Sequence, residues 1–226
     1  LNEMGEHLPF WQRDLDLMVL THPHQDHTMG LIDVLERYEV DQVVQTEFTA
    51  TSSLVGQWLH AVKTAGVPIH YPRRGESITF EGEPEVELRI LNPLTTESAG
   101  GKQGDDINNG SVVLRLSYGK HDILLEGDAQ EAAEAEMSRL PGEEIASEIL
   151  KVGHHGSDTS STQQFVEQVR PQVAIISVGT ENKYGHPASE TLQTIQEAGA
   201  IIYRTDLNGT VEIIADKERM WVRSER

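Results

Sequence analysis

The hydrophobic positions alternate between two periods from one end of the chain to the other. Residues 15–20 (Leu-Asp-Leu-Met-Val-Leu) form a short apolar run that predicts a strand ending at Thr21. Leu31, Val34 and Leu35 then recur at helical spacing after Gly30, and residues 40–46 predict another strand. Residues 51–65 place Leu54, Val55, Trp58, Leu59 and Val62 on one helical face, with Gly66 in the position that commonly closes a helix. Strands are predicted at 67–71, 77–80 and 86–91, and the polar stretch 100–109 predicts a surface loop. Residues 111–117 and 122–125 predict a hairpin through Tyr118-Gly119-Lys120. Helices at 129–139, 163–169 and 187–198 then alternate with strand signals at 145–152 and 173–178. Residues 201–203 are expected to pair with 210–214 across Asn208-Gly209.

Interleaved strands and helices predict an α/β chain or a layered α+β sandwich in one domain spanning 1–226, with 216–226 a polar tail. A weak repeat bears on the layering. Leu59, Val62, Ala65, Gly66 and Ile69 match Leu192, Ile195, Ala198, Gly199 and Ile202 at a constant shift of 133 residues. Helix-to-strand joints favour Ala-Gly in any case, but the match also fits a duplicated half-domain with a site where the halves meet. The chain opens on Leu1 and a polar stretch, which reads as a piece of a longer protein, incomplete at its N-terminus.

Composition narrows the function. The formal charge is −19, from 18 basic and 37 acidic residues. Durable tracking of a nucleic-acid backbone needs the opposite sign, as does a polybasic membrane anchor. Cysteine is absent, so disulfides, thiolate ligands and cysteine nucleophiles are excluded. No apolar run approaches the roughly 18 residues of a membrane-spanning helix, so no membrane insertion is expected. Histidine is abundant at ten residues, and three fall within six positions.

That cluster, Thr21-His22-Pro23-His24-Gln25-Asp26-His27, follows a predicted strand directly. Imidazole and carboxylate suit zinc and related divalent ions, and four such ligands in one tight loop can face two adjacent metals. Such ions make a hydroxide available near neutral pH. Leu124-Leu125-Glu126-Gly127-Asp128 ends another strand with a carboxylate that could bridge both ions, though Gly-Asp alone is common turn chemistry. Gly153-His154-His155-Gly156 again follows a strand; one histidine of the pair could bind metal while the other meets substrate. His186, between Gly185 and Pro187, is a further candidate. His7, His60, His70 and His121 stand singly and predict local roles. Asn108-Asn109-Gly110-Ser111 reads as a turn, and Trp58 and Trp11 as core. The eight carboxylates between Glu126 and Glu148 read, Asp128 apart, as a solvated helix face.

These segments resemble the metallo-β-lactamase superfamily, through H-P-H-Q-D-H, L-E-G-D and the later histidines. N-N-G-S-V-V-L-R-L, L-K-V-G-H-H-G-S-D-T-S-S and G-H-P are similar to the soluble domain of ComEC-type competence DNA-import proteins and their free-standing hydrolase relatives. The resemblance covers residues 15–214. It implies a four-layer αββα sandwich of α+β class, here lacking its first strands. It also implies two divalent ions, zinc or manganese. His22 and His24 would hold one, Asp26 and His27 the other, with Asp128 bridging and His154 and His186 as further ligands. Members commonly carry another histidine where this chain has Asn109, so His154 or His155 would substitute. Asp26, His155 and His186 are the expected catalytic side chains. The implied activity is a phosphodiesterase or nuclease of DNA uptake using a metal-bound hydroxide and engaging DNA or another phosphodiester transiently. A hydrolase of another ester or amide, and a non-catalytic metal-stabilised module, are the alternatives. In a ComEC-like protein the domain would adjoin a membrane channel on the extracytoplasmic face of a bacterial membrane; otherwise it would be secreted or cytoplasmic.

Overall fold

A computed structural model describes residues 2–48, 52–83, 85–95 and 105–226. Helix α1 (Asn2–His7) and strand β1 (Asp14–Leu15) lead into β2 (Met18–Leu20), α2 (Gln25–Leu35), β3 (Glu39–Val40) and β4 (Val43–Gln45). Helix α3 (Ser53–Ala65), β5 (Ile69–His70), β6 (Ser77–Phe80), β7 (Val86–Asn92) and the short α4 (Asp105–Asn109) follow. The hairpin β8 (Val113–Tyr118) and β9 (His121–Leu125) turns at Gly119, whose φ of 61° needs a glycine-like residue. Then come α5 (Glu131–Met137), α6 (Gly142–Ile145), β10 (Ile149–Lys151), α7 (Gln163–Val169), β11 (Val173–Ile176) and α8 (Ser189–Glu197). The chain continues through β12 (Ile201–Arg204), α9 (Thr205–Asn208), β13 (Val211–Ala215) and β14 (Met220–Ser224).

Two sheets carry the core. The larger has the order β12-β11-β10-β9-β8-β7-β6, parallel from β12 to β9 and antiparallel from β9 to β6. The smaller, β2-β4-β5, is parallel. Side-chain alternation sorts their residues into layers. Val19 and Val44 face Ile90, Leu114 and Leu125 between the sheets. Their neighbours Met18, Leu20 and Val43 point the other way, onto Val34 and Leu35 of α2 and Trp58 and Val62 of α3. On the far side, Leu91, Val113 and Leu124 pack on Ala133 and Met137 of α5, Phe165 of α7 and Ile195 of α8. The result is helices, sheet, sheet, helices: the expected four-layer arrangement. The repeat has a spatial counterpart, since α3–β5 and α8–β12 each deliver the outermost parallel strand of a sheet through a left-handed glycine, Gly66 and Gly199.

Several local expectations need correction. Residues 216–226 are not merely a polar tail: β14 pairs antiparallel with β13, from Val211↔Ser224 to Ala215↔Met220. That hairpin takes the partner expected for β12, which instead lies parallel beside β11. Trp11 is 71% exposed rather than core, whereas Trp58 is fully buried and donates from Nε1 to Gln45 Oε1 at 2.6 Å. Within the stretch 100–109, residues 105–109 form α4, and the rest lies outside the described residues. Glu126 and Glu134 are buried, so the acidic stretch is not uniformly a solvated face.

Candidate metal centre

The histidine loop leaves the C-terminal end of β2, Asp128 follows β9, the His154-His155 turn follows β10, and the segment 177–188 follows β11. Strands β9, β10 and β11 are parallel, so their exits share one edge of the large sheet. That edge meets the histidine loop where Val112 donates its N–H to the Thr21 carbonyl at 2.9 Å. His24 is the N-cap of α2, and Asp26 and His27 lie in its first turn. Gly127, with φ 60°, permits the approach of Asp128; a Cβ there would lie 3.0 Å from Thr21 Cβ and 3.1 Å from Ser111 Cβ.

Two groups of donor atoms result. His22, His24 and Asp128 form one; Asp26, His27, Asp128 and His155 form the other, with all ligand atoms of a group within 4.8 Å of one another. Asp128 belongs to both. His22 Nε2 lies 3.1 Å from His24 Nδ1 and 3.5 Å from Asp128 Oδ2. His27 Nε2 lies 3.3 Å from Asp128 Oδ1 and 3.4 Å from His155 Nε2.

The arrangement places electron pairs against electron pairs. The Ser177 carbonyl can only accept, so His155 donates to it from Nδ1 at 2.8 Å. In the neutral ring Nε2 is then a lone pair aimed at Asp26 Oδ2 (3.1 Å) and Asp128 Oδ2 (3.6 Å). A second ring proton or a cation reconciles the three, and the bond to Asp26 accordingly raises the His155 pKa. At His22 the extra proton is disfavoured, because burial lowers its pKa to about 3. Asp26 is held down to about 2, chiefly by the His155 bond. Burial would raise the Asp128 carboxyl, but the imidazoles of His27, His22 and His155 outweigh it and keep it ionised. Asp128 Oδ1 is buried without an aligned hydrogen bond. Carboxylate oxygens and imidazole nitrogens crowded in this way fit divalent cations.

His154 and His186 stand outside both groups. The His154 ring is occupied by Thr159 Oγ1 (3.0 Å) and Gln130 Nε2 (3.1 Å) on Nδ1, with Asn108 Nδ2 3.5 Å from Nε2. His155 is therefore the member of the pair that joins the ligand atoms. His186 lines a cleft of about 630 Å³ with His24, Asp26, Asp128, His154 and His155. Asn109 belongs to neither group: its Oδ1 accepts the N–H groups of Gln130 (3.2 Å) and Ala133 (3.0 Å) at the start of α5. Ser111 escaped the sequence reading, where it passed as turn chemistry; its Oγ lies 3.3 Å from His22 Nδ1 and accepts the Asp128 N–H. Of the isolated histidines, His70 pairs with nearby Glu76, while His121 pairs with Glu148, 27 residues away.

Residues 11–180 match the family model of the metallo-beta-lactamase superfamily. The chain belongs to this superfamily. Superfamily members typically bind a dinuclear metal site, and their fold is that of metallo-hydrolases. The chain is 32% identical over 201 residues to ComE operon protein 3 of Bacillus subtilis, covering 88% of this chain and 24% of that protein. It is 36% identical over 201 residues to Competence protein ComA of Neisseria gonorrhoeae (88% and 25%), and 28% identical over 224 residues to Recombination protein 2 of Haemophilus influenzae (98% and 25%). It thus spans about a quarter of the length of these relatives. Among solved structures, CmlA, a diiron beta-hydroxylase of Streptomyces venezuelae, has a TM-score of 0.57 at 14% identity, over 88% of this chain and 45% of that one. Igni18, a metallo hydrolase of Ignicoccus hospitalis, has a TM-score of 0.51 at 14% identity, over 92% and 78%. These two likenesses carry the fold of this superfamily member, not its reaction. Among the described residues no helix is long and apolar enough to cross a membrane.

Proposed function

We propose that this chain is a metal-dependent phosphodiesterase acting on DNA. The observation that carries the reading is Asp128, buried and shared by two His/Asp groups at the floor of an open cleft. His22, His24 and Asp128 would hold one divalent ion; Asp26, His27, Asp128 and His155 would hold the other. Zinc and manganese both accept these donors. When bound, such a pair supplies Lewis acidity and lowers the pKa of coordinated water.

The chain's own side chains orient and exchange protons around that centre. Ser177 fixes the His155 ring through Nδ1, and Asp26 meets its other nitrogen. Ser111 and Thr21 flank His22 Nδ1, fixing that ring between two hydroxyls. Burial lowers the pKa of His186, so at pH 7 it is a neutral ring with one donor and one acceptor. From the cleft wall it would donate a hydrogen bond to a phosphoryl or departing oxygen. Asn182 holds that position, accepting the His186 N–H and donating to its carbonyl, both at 2.9 Å.

DNA as substrate is supported by the relatives named for competence and recombination. Their roughly fourfold greater length supports a setting in which this domain serves a larger protein, and the competence names among them favour one adjoining a membrane channel on the extracytoplasmic face. The test is turnover of single-stranded DNA and bis(p-nitrophenyl) phosphate with zinc or manganese, before and after chelation. Asp128→Ala should lower bound metal from two ions per chain and cut turnover on the order of 10³-fold. A wild-type chain that binds two ions yet turns over neither substrate overturns the reading. Unchanged metal content in Asp128→Ala removes the shared-ligand role.

A further inference from the structure

Tyr184 is 84% exposed, an unusual state for an aromatic ring beside a buried polar centre. It stands on the wall of the same cleft as Asp26, Asp128 and His155. One face is supported: the ring lies stacked on His186, with centroids 5.8 Å apart and planes 16° from parallel. The support is itself anchored. Asn182 clasps both backbone groups of His186 and donates to the Gly179 carbonyl at 3.2 Å. One residue before Gly179, hydrogen bonds at 2.8 Å link the Thr205 hydroxyl to the N–H and carbonyl of Val178. Across the cleft Met29, 42% exposed on α2, offers a soft apolar wall. Lys183 lies exposed beside Tyr184 in the chain.

We propose that Tyr184, backed by His186, is a stacking subsite for an unpaired nucleobase next to the phosphodiester that reaches the metal centre. A π-face serves every base, so the subsite would be tolerant of sequence. Charge gives the reason for one. With 37 acidic against 18 basic residues, the surface cannot hold a strand mainly by counterion release, and retention must come from a contact that does not depend on phosphates. A rigidly supported ring supplies it, and Lys183 supplies one local positive charge. Binding by this subsite stands on geometry, while its place in a cleavage reaction rests on the phosphodiesterase reading above.

The test separates the two. Hydrolysis-resistant, uncharged methylphosphonate hexamers of thymidine and of the abasic sugar are titrated by calorimetry into the full metal-loaded chain. Wild type should bind the thymidine hexamer about tenfold more tightly than the abasic one. Tyr184→Ala should erase that preference, Tyr184→Trp should retain it, and binding of the abasic hexamer should be the same in all three. In parallel, Tyr184→Ala should raise KM for an ordinary thymidine hexanucleotide about tenfold, with a smaller change in kcat. Absence of a base preference in wild type, or its survival in Tyr184→Ala, overturns the subsite. A wild-type chain that shows the preference but cleaves neither hexanucleotide nor bis(p-nitrophenyl) phosphate supports the subsite and fails the phosphodiesterase reading.

Discussion

Glu126 sits two residues before Asp128 and is fully buried, with Oε2 accepting the Gly153 N–H at 2.9 Å. Burial raises its pKa well above the ordinary carboxylate value, and the neighbouring Glu134 adds to the shift. Glu134 accepts the N–H groups of Ser161 and Thr162 and the Thr162 hydroxyl. Glu126, beside the equally buried and hydrogen-bonded Glu134, thus ties the turn bearing His155 to the floor of the site. Such a group contributes stability that is fully present below its unfolded value, 4.5, and is lost as pH rises through the raised folded value. Glu126→Gln keeps an acceptor for Gly153 and does not titrate, so urea midpoints measured between about pH 5 and 9 should decline less steeply than in wild type. Equal slopes would show that Glu126 is ionised in the fold. The sequence supplied no sign of this pair, because the donors that satisfy Glu134 come from a loop 27 residues downstream. His22, His24, Asp26 and His27 were legible for the opposite reason: one short segment carries them all.

At the scale of elements, the turn Gly153–Gly156 decides which of two adjacent histidines reaches the ligand atoms. His154 and His155 both have positive φ, 44° and 55°, and Gly156 follows at 80°. No spacing rule separates neighbours in such a turn; the choice is made by Ser177 and Thr159, which the sequence places on other segments. A Cβ on Gly156 would lie 2.6 Å from Pro187 Cβ and 3.4 Å from Ile176 Cγ2. Gly156→Ala should therefore destabilise by roughly 1–3 kcal/mol and push the His155 turn away from the His186 segment. Thermal melts and bound-metal content report the two effects separately; a variant with wild-type melting and metal content would mean that the turn adapts. The strands themselves were legible, since the short apolar runs of β2, β4, β7, β8 and β9 are visible in the hydrophobic pattern. The C-terminal hairpin was not: 210–214 was expected to pair with 201–203 and 216–226 to be a polar tail, whereas Arg223 and Glu212 pair across β13 and β14 at 2.7 Å.

At the scale of the molecule, a charge of −19 repels a polyanion approaching the cleft. Salt screens that repulsion over about 10 Å at 0.1 M. Cleavage of a long single strand should therefore rise in kcat/KM between about 0.02 and 0.2 M NaCl, the reverse of a basic nuclease. The rate on bis(p-nitrophenyl) phosphate, with one charge, should change far less. A fall with salt on the long strand would show that local cations such as Lys183 dominate the encounter. The charge total was visible in the composition, but its meaning for DNA depended on Asp128 and the imidazoles being gathered at one edge. That gathering also has a mechanical side. His22, His24, Asp26 and His27 hang from the smaller sheet, while Asp128 and His155 hang from the larger. Ions shared among them would fasten two layers through residues about a hundred positions apart, removing loop freedom as a removable cross-link does. Chelation would then loosen the docking of one sheet on the other before it unfolds either.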